Sequence, residues 1–80
     1  MENENIPRIF GDFNSTDPLG RIRLSTNGSQ ADIAALNVDL YDGMLVTIDD
    51  QDELFVRAII RHCRTEGWVA EFERQDIRDH

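Results

Sequence analysis

Residues 53–72, ELFVRAIIRHCRTEGWVAEF, hold the pattern that decides the fold. Every second residue from Leu54 to His62 would lie on one face of an extended strand, and this face is mostly apolar. Gly67 then offers the backbone freedom that a tight reversal needs, and the residues after it read as a second strand. The segment therefore predicts a long β-hairpin that supplies much of the core.

The pairing of charges selects one register for this hairpin. A three-residue loop over residues 65–67, with Gly67 left-handed, places opposite charges across from each other and apolar residues across from apolar residues. The predicted pairs are Arg64 with Trp68, His62 with Ala70, Ile60 with Phe72 and Arg61 with Glu71. A four-residue loop would instead put Arg57 opposite Arg74. We therefore predict the three-residue loop, with Trp68 and Phe72 in the core hairpin.

The remaining segments predict three further strands and one helix. The strand patterns are RIFGDFN at 8–14, RIRLS at 21–25 and MLVTI at 44–48. Ser29 predicts the N-cap of a two-turn helix that ends near Asn37, and QDIR at 75–78 predicts a helical turn that places Ile77 on the core.

This order of elements indicates a fold class. Five short strands with one short helix between the second and third predict a mainly β protein, a small, partly open barrel of the Src-homology-3-like kind. The oligonucleotide-binding barrel also has five strands, but its helix usually follows the third strand.

Size and charge limit what the protein can do. Eighty residues predict a single small domain over residues 8–80, behind a disordered polar lead-in at 1–7. Sixteen acidic residues against eight basic ones, all of them Arg, give a net charge of −8. This charge repels phosphate backbones and anionic lipid headgroups, so we expect neither nucleic acid nor membrane as a partner. A single Cys and an N-terminus without a signal-peptide pattern predict a cytoplasmic protein.

The sequence offers little for catalysis or metal binding. His62 and Cys63 are adjacent in a strand, so they point to opposite faces and cannot bind one metal ion together. The acidic run DDQDE at 49–53 lacks the glycine and the distal Glu of a calcium loop, which leaves only weak cation binding open. The five glycines are isolated, so no phosphate-binding loop is predicted. We expect no catalytic residue, no metal site, no cofactor and no enzyme activity.

The second face of the long strand carries the clearest functional signal. Phe55 and Ile59 lie on it between Arg57 and Arg61, where a surface strand would carry polar side chains, and Phe10 lies on the matching face of the first strand. Clustered, these apolar side chains would mark an interface, whereas single exposed apolar residues are ordinary in small proteins. The candidate interface consists of Phe55, Arg57, Ile59 and Arg61.

Two family resemblances accompany these patterns. The run GDFNSTDPLGRIRLSTNGS at 11–29, continued by LYDGMLVTIDD, DELFV and WVAEFERQDIR, resembles a family of short, uncharacterised bacterial proteins. That resemblance covers nearly the whole chain after residue 10 and implies no activity, cofactor or partner. The family has a longer insertion around residues 49–52 and a further aromatic residue where Glu73 or Arg74 stands here.

A weaker similarity is to PilZ domains, small barrels that bind cyclic di-GMP. Their glycine-led strand, long strand and final strand run much as DGMLVTI, LFVRAIIR and GWVAEF do here. Their upstream RxxxR motif is missing, and RLSTNGSQ is a distorted form of their Asp/Asn-x-Ser-x-x-Gly element. The similarity implies phosphate contacts at Arg8, Arg21 and Arg23.

Two functions therefore compete at this point. The leading hypothesis is a noncatalytic small β-barrel that binds a protein partner or itself, as a homodimer, through its candidate interface. The alternative is a PilZ-like barrel that senses a cyclic dinucleotide.

Overall fold

A computed structural model describes residues 6–80, which form a mainly β domain with a curled, open half-barrel sheet. The strands are β1 (Arg8–Phe10), β2 (Ile22–Arg23), β3 (Leu45–Asp49), β4 (Leu54–Cys63), β5 (Gly67–Glu71) and β6 (Arg78–Asp79). Helix α1 (Asn27–Leu36) lies between β2 and β3, and a 3-10 turn (Arg74–Asp76) precedes β6. The predicted mainly β, partly open architecture with one helix after the second strand is confirmed.

The sheet has the strand order β1-β3-β4-β5-β2, and β6 pairs with the start of β4. Strands β1 and β3 run parallel, while the other pairs are antiparallel. Side chains alternate between the two faces of each strand, so the even-numbered residues of β3 and β4 point inward. The fully buried core consists of Ile9, Ile22, Leu24, Val46, Ile48, Val56, Ala58, Ile60 and Ala70.

The long hairpin forms as predicted, but its register differs from the predicted one by two residues. The observed pairs include Ile60 with Ala70, Arg61 with Val69, His62 with Trp68 and Cys63 with Gly67, so residues 64–66 form the connection. Gly67 has the expected positive φ of 80° but is the first residue of β5 rather than the last of the loop. Because a shift of two residues keeps each side chain on its predicted face, the core is unaffected. Trp68 and Phe72 are half-buried against it.

Helix α1 begins three residues earlier than predicted and closes one edge of the sheet. Thr26, rather than Ser29, is the N-cap, and Asn37 ends the helix with a φ of 54°. Ser29 is instead fully buried, and its hydroxyl donates to the carbonyl of Phe10 at 2.6 Å. Asp32 accepts the Phe10 N–H at 2.8 Å. Both outward-facing backbone groups of Phe10 are therefore satisfied by the helix.

Short segments of chain cover the β2 edge of the sheet and the start of β4. Ser15 accepts the amide of Arg23, and Thr16 forms an isolated bridge with Ile22, which covers the outer side of β2. Ile77 packs on the core after the 3-10 turn, as the sequence predicts. Strand β6, which the sequence pattern did not predict, then returns beside β4.

The sheet begins just before β1. The Pro7 carbonyl accepts the Thr47 amide at 2.8 Å, so sheet contacts begin one residue before β1. The predicted disordered lead-in spans residues 1–7, of which 1–5 lie outside the described residues. Over residues 6–80, no helix combines the length and the apolar character that a membrane crossing requires.

Candidate functional site

The outer face of β4 brings the four candidate interface residues into one row. Phe55, Arg57, Ile59 and Arg61 lie on the face opposite the core, because the inward residues between them are Val56, Ala58 and Ile60. Strand β3 adds the cross-strand neighbours Asp49, Thr47 and Leu45 opposite the first three. The structure therefore gathers the predicted residues on one surface, which we call the outer face.

The two ends of this row are occupied by contacts within the chain. The Phe55 ring lies under the guanidinium of Arg8, 5.5 Å from its Cζ, and beside the ring of His80 at 5.1 Å. Arg61 donates from Nε to a carboxylate oxygen of Glu71 at 3.1 Å and from Nη1 to Asp42 at 3.4 Å. Phe55 and Arg61 are thus the less available members of the candidate interface.

The centre of the row is open. Ile59 is half-buried and lies opposite Leu45, whose side chain is 41% exposed. Arg57 is exposed, and its Nε donates to the Thr47 hydroxyl at 3.2 Å. Leu45 was not among the predicted interface residues, although the alternation that places Val46 and Ile48 inward also places Leu45 outward.

A shallow cavity of about 280 Å³ adjoins Leu45 and Ile59. It is lined by Leu45, Arg57, Ala58, Ile59, Glu71, Phe72, Glu73 and Asp76. The lining combines apolar side chains with three carboxylates and one guanidinium, a mixture that suits contact with an amphipathic group.

Phe10 does not join this surface. Its ring packs against Gly28 of helix α1 so closely that a Cβ at that position would overlap it. The helix therefore covers the apolar side chain that the first strand presents on its outer side.

The acidic turn at 49–53 is held together internally. Oδ1 of Asp50 accepts the amides of Asp52, Glu53 and Leu54, each at 2.9 Å. Burial by itself would raise the pKa of Asp50, but these backbone hydrogen bonds outweigh it and hold that pKa below its usual value. The carboxylate thus acts as a cap for the turn.

The neighbouring Asp49 is almost fully buried and ion-paired. It accepts hydrogen bonds from Arg8, from the Gln51 amide at 2.7 Å and from His80 Nε2 at 2.8 Å. Burial alone would raise the pKa of Asp49, but these hydrogen bonds outweigh it and lower the pKa. His80 is thus held at both ends, since its ring bonds to Asp49 and its amide donates to the Glu53 carbonyl at 2.8 Å.

Ligand-type atoms of Asp49, Asp50 and His80 lie within 4.8 Å of one another. The guanidinium of Arg8 already neutralises Asp49, and backbone amides occupy Asp50. The polar groups of these three residues are therefore already hydrogen-bonded within the chain, and we assign them a structural role.

His62 and Cys63 point to opposite sides of β4, as predicted. His62 is exposed and its ring stacks edge-on against Trp68 at 4.8 Å. Cys63 lies 3.4 Å from the Thr65 hydroxyl, and this hydrogen bond, with the amides of Glu66 and Thr65, lowers the pKa of the thiol.

The arginines implied by the PilZ similarity lie at opposite edges of the sheet. Arg8 is on the edge strand β1, while Arg21 and Arg23 lie at the β2 edge. Each is paired with a carboxylate, Arg8 with Asp49, Arg21 with Asp17 at 2.8 Å and Arg23 with Glu66 at 2.7 Å. The three guanidinium groups do not converge on one ligand site.

Comparison of this chain with protein-family models, curated proteins and solved structures gives no match.

Proposed function

We propose that this protein is a noncatalytic interaction module that binds another protein through the outer face of β4. The observation that carries the proposal is the pair Leu45 and Ile59. These two branched apolar side chains lie opposite each other on a solvent-facing part of the sheet, beside a cavity. A partly exposed apolar pair of this kind loses water-accessible surface when a partner covers it, which favours association.

The surroundings of the pair support a protein partner. Arg57 is exposed beside it, and a guanidinium can donate to carboxylates or carbonyls at the rim of an interface. An 80-residue domain buries too little surface for a deep catalytic cleft, while a shallow sheet face is sufficient for contact with a protein surface.

A photo-reactive benzophenone side chain at position 45, in the full chain expressed in its native cells, tests this function. We expect light-dependent adducts with a defined protein, and we expect Ile59→Glu to abolish them. Position 36 provides the matched control, because Leu36 is also exposed, at 49%, but lies on helix α1. Identical adducts at both positions, or none at position 45, would overturn the proposal.

Self-association is the special case in which the partner is a second copy. Sedimentation velocity of the wild type and of Ile59→Glu, over a range of concentrations, detects it. The net charge of −8 opposes a homodimer at low salt, so added salt strengthens a dimer driven by apolar contact and weakens one driven by ion pairs.

The cyclic dinucleotide alternative has no supporting observation among residues 6–80, since Arg8, Arg21 and Arg23 are separated and ion-paired. Calorimetric titration with cyclic di-GMP tests it directly, and a heat of binding that saturates with ligand concentration would support it.

A further inference from the structure

The sheet has a gap beside the outer face. On one side of β4, strand β5 ends with Glu71 opposite Ile59, and β6 begins with Arg78 opposite Phe55. Residues 72–77 leave the sheet between these points. Position 57 of β4 is therefore left without a partner strand on that side, as far as residues 6–80 show.

The hydrogen-bonding pattern of β4 shows that the backbone N–H and C=O groups of Arg57 point into this gap. Ile60 donates to the Met44 carbonyl at 2.8 Å and accepts the Gly43 amide at 2.7 Å, so even-numbered residues of β4 direct their backbone groups toward β3. In an antiparallel strand the next residues point the other way. The Arg57 carbonyl is thus an acceptor that faces the gap, while the Arg57 side chain is drawn toward β3 by its bond to Thr47.

The walls of the gap combine apolar and acidic groups. Ile59 and Phe72 line the cavity with Leu45, and Glu73 and Asp76 stand at its rim. Both rim carboxylates are exposed and form no ion pair within the described part of the chain. A second cavity, lined by Phe55, Val56, Arg57, Asp76 and Arg78, shares Arg57 and Asp76 with the first.

We propose that this gap receives the side chain of a lysine from the partner protein; the inference rests on the proposed function. An ammonium group has three donors, which match the Arg57 carbonyl and the carboxylates of Glu73 and Asp76. The lysine stem is apolar and would lie along Ile59 and Leu45. A net charge of −8 also draws cationic segments toward this chain.

The composition of the chain excludes a second copy as the source of the lysine. All eight basic residues are Arg, so a second copy has no lysine side chain to offer. The three donors of a compact ammonium also match three separate acceptors, whereas the planar, forked guanidinium suits a single carboxylate. The occupant is therefore a different protein that presents a lysine beside apolar residues.

Chemical-shift titration of the full, isotope-labelled chain tests this inference. The probe is the acetylated, amidated peptide Ala-Leu-Lys-Leu-Ala, and the comparison peptides replace its Lys by Arg or Gln. We expect saturable shifts of the amides of Arg57, Ile59, Glu73 and Asp76 with the Lys peptide. We expect affinity at least about tenfold weaker with the Gln peptide, and weaker binding of the Arg peptide.

A matched pair of variants separates the rim carboxylates from general charge. Glu73→Gln combined with Asp76→Asn should weaken binding of the Lys peptide by about tenfold. Glu53→Gln combined with Asp39→Asn changes net charge by the same amount at exposed positions away from the gap and should leave the affinity unchanged.

The titration separates failure of the lysine inference from failure of the proposed function. Equal binding of the Lys and Gln peptides at the outer face would overturn the lysine inference but support an interaction surface there. Absence of binding, or shifts confined to other surfaces, would overturn the lysine inference, and the adducts at position 45 would then decide the proposed function separately.

Discussion

Gly11 lies against Ile48 so closely that a Cβ at position 11 would overlap the Cγ2 methyl of Ile48. Gly11 is buried directly after β1, and its amide donates to the Asp49 carbonyl at 3.2 Å. The absence of a side chain is what lets the first strand approach β3 at this point.

Gly11→Ala should therefore destabilise the domain by about 1 to 3 kcal/mol, because the added methyl overpacks the core. Urea unfolding of the wild type and variant measures the difference. Ile48→Leu removes the β-branch methyl at nearly constant volume, so in that background Gly11→Ala should cost less. Equal costs in both backgrounds would contradict the proposed overlap.

Ser29→Ala should destabilise the protein by about 1 to 3 kcal/mol, since it removes a fully buried hydroxyl and leaves the Phe10 carbonyl without its 2.6 Å hydrogen bond. Thermal and urea unfolding provide the measurement. Ser25→Ala is the control, because Ser25 is exposed in the same segment. Comparable effects of the two substitutions would show that the bond to Phe10 contributes nothing specific.

Acid should remove a contribution that Asp17 makes to stability. Burial alone would raise the pKa of Asp17, but hydrogen bonds from the Arg21 amide, the Arg21 guanidinium and the Leu19 amide outweigh it and hold the pKa below the usual 3.8. A carboxyl group with a depressed folded-state pKa stabilises the fold above 3.8 and loses that contribution as pH falls through the lower, folded value.

The free energy of unfolding of Asp17→Asn should consequently be lower than that of the wild type at neutral pH, and the difference should shrink in acid. Urea titrations at a series of pH values measure it. Asp39→Asn, which removes a carboxylate at an exposed position, serves as the control. A difference that stays constant down to the lowest pH would contradict this account.

Nucleic acid should not bind at about 0.15 M salt, because affinity for it depends on neutralising phosphates. The net charge is −8, and Arg8, Arg21, Arg23 and Arg61 are paired with carboxylates. Mobility-shift assays with random duplex and single strands check the expectation. Saturable binding at micromolar protein would show that the other four arginines act together.

The hairpin illustrates what alternation can and cannot predict. Side-chain periodicity determined the faces of β4 and β5, because a face depends only on whether a residue number is odd or even. It could not determine the register, since the long side chain of Arg61 reaches Glu71 along a diagonal as well as it would reach it directly opposite. Two registers that differ by two residues satisfy the same charges and the same apolar face.

The candidate site was predictable to a similar extent. Alternation identified the outer face of β4, but not which of its residues remain open, because Arg8 and His80 reach Phe55 from distant parts of the chain. Strand β6 has two residues, too few for a periodic signal, so neither the docking of His80 nor the gap that β6 leaves was visible in the sequence.

The two hydrogen bonds between helix α1 and Phe10 have a consequence for the solubility of the protein. They occupy the outward backbone groups of Phe10 in β1, which would otherwise be free on an open strand edge beside an apolar sheet. A local opening of this helix would expose that edge while the rest of the sheet stayed folded. Intermolecular strand addition, and hence aggregation, should therefore begin at β1, and helix stability should control its onset.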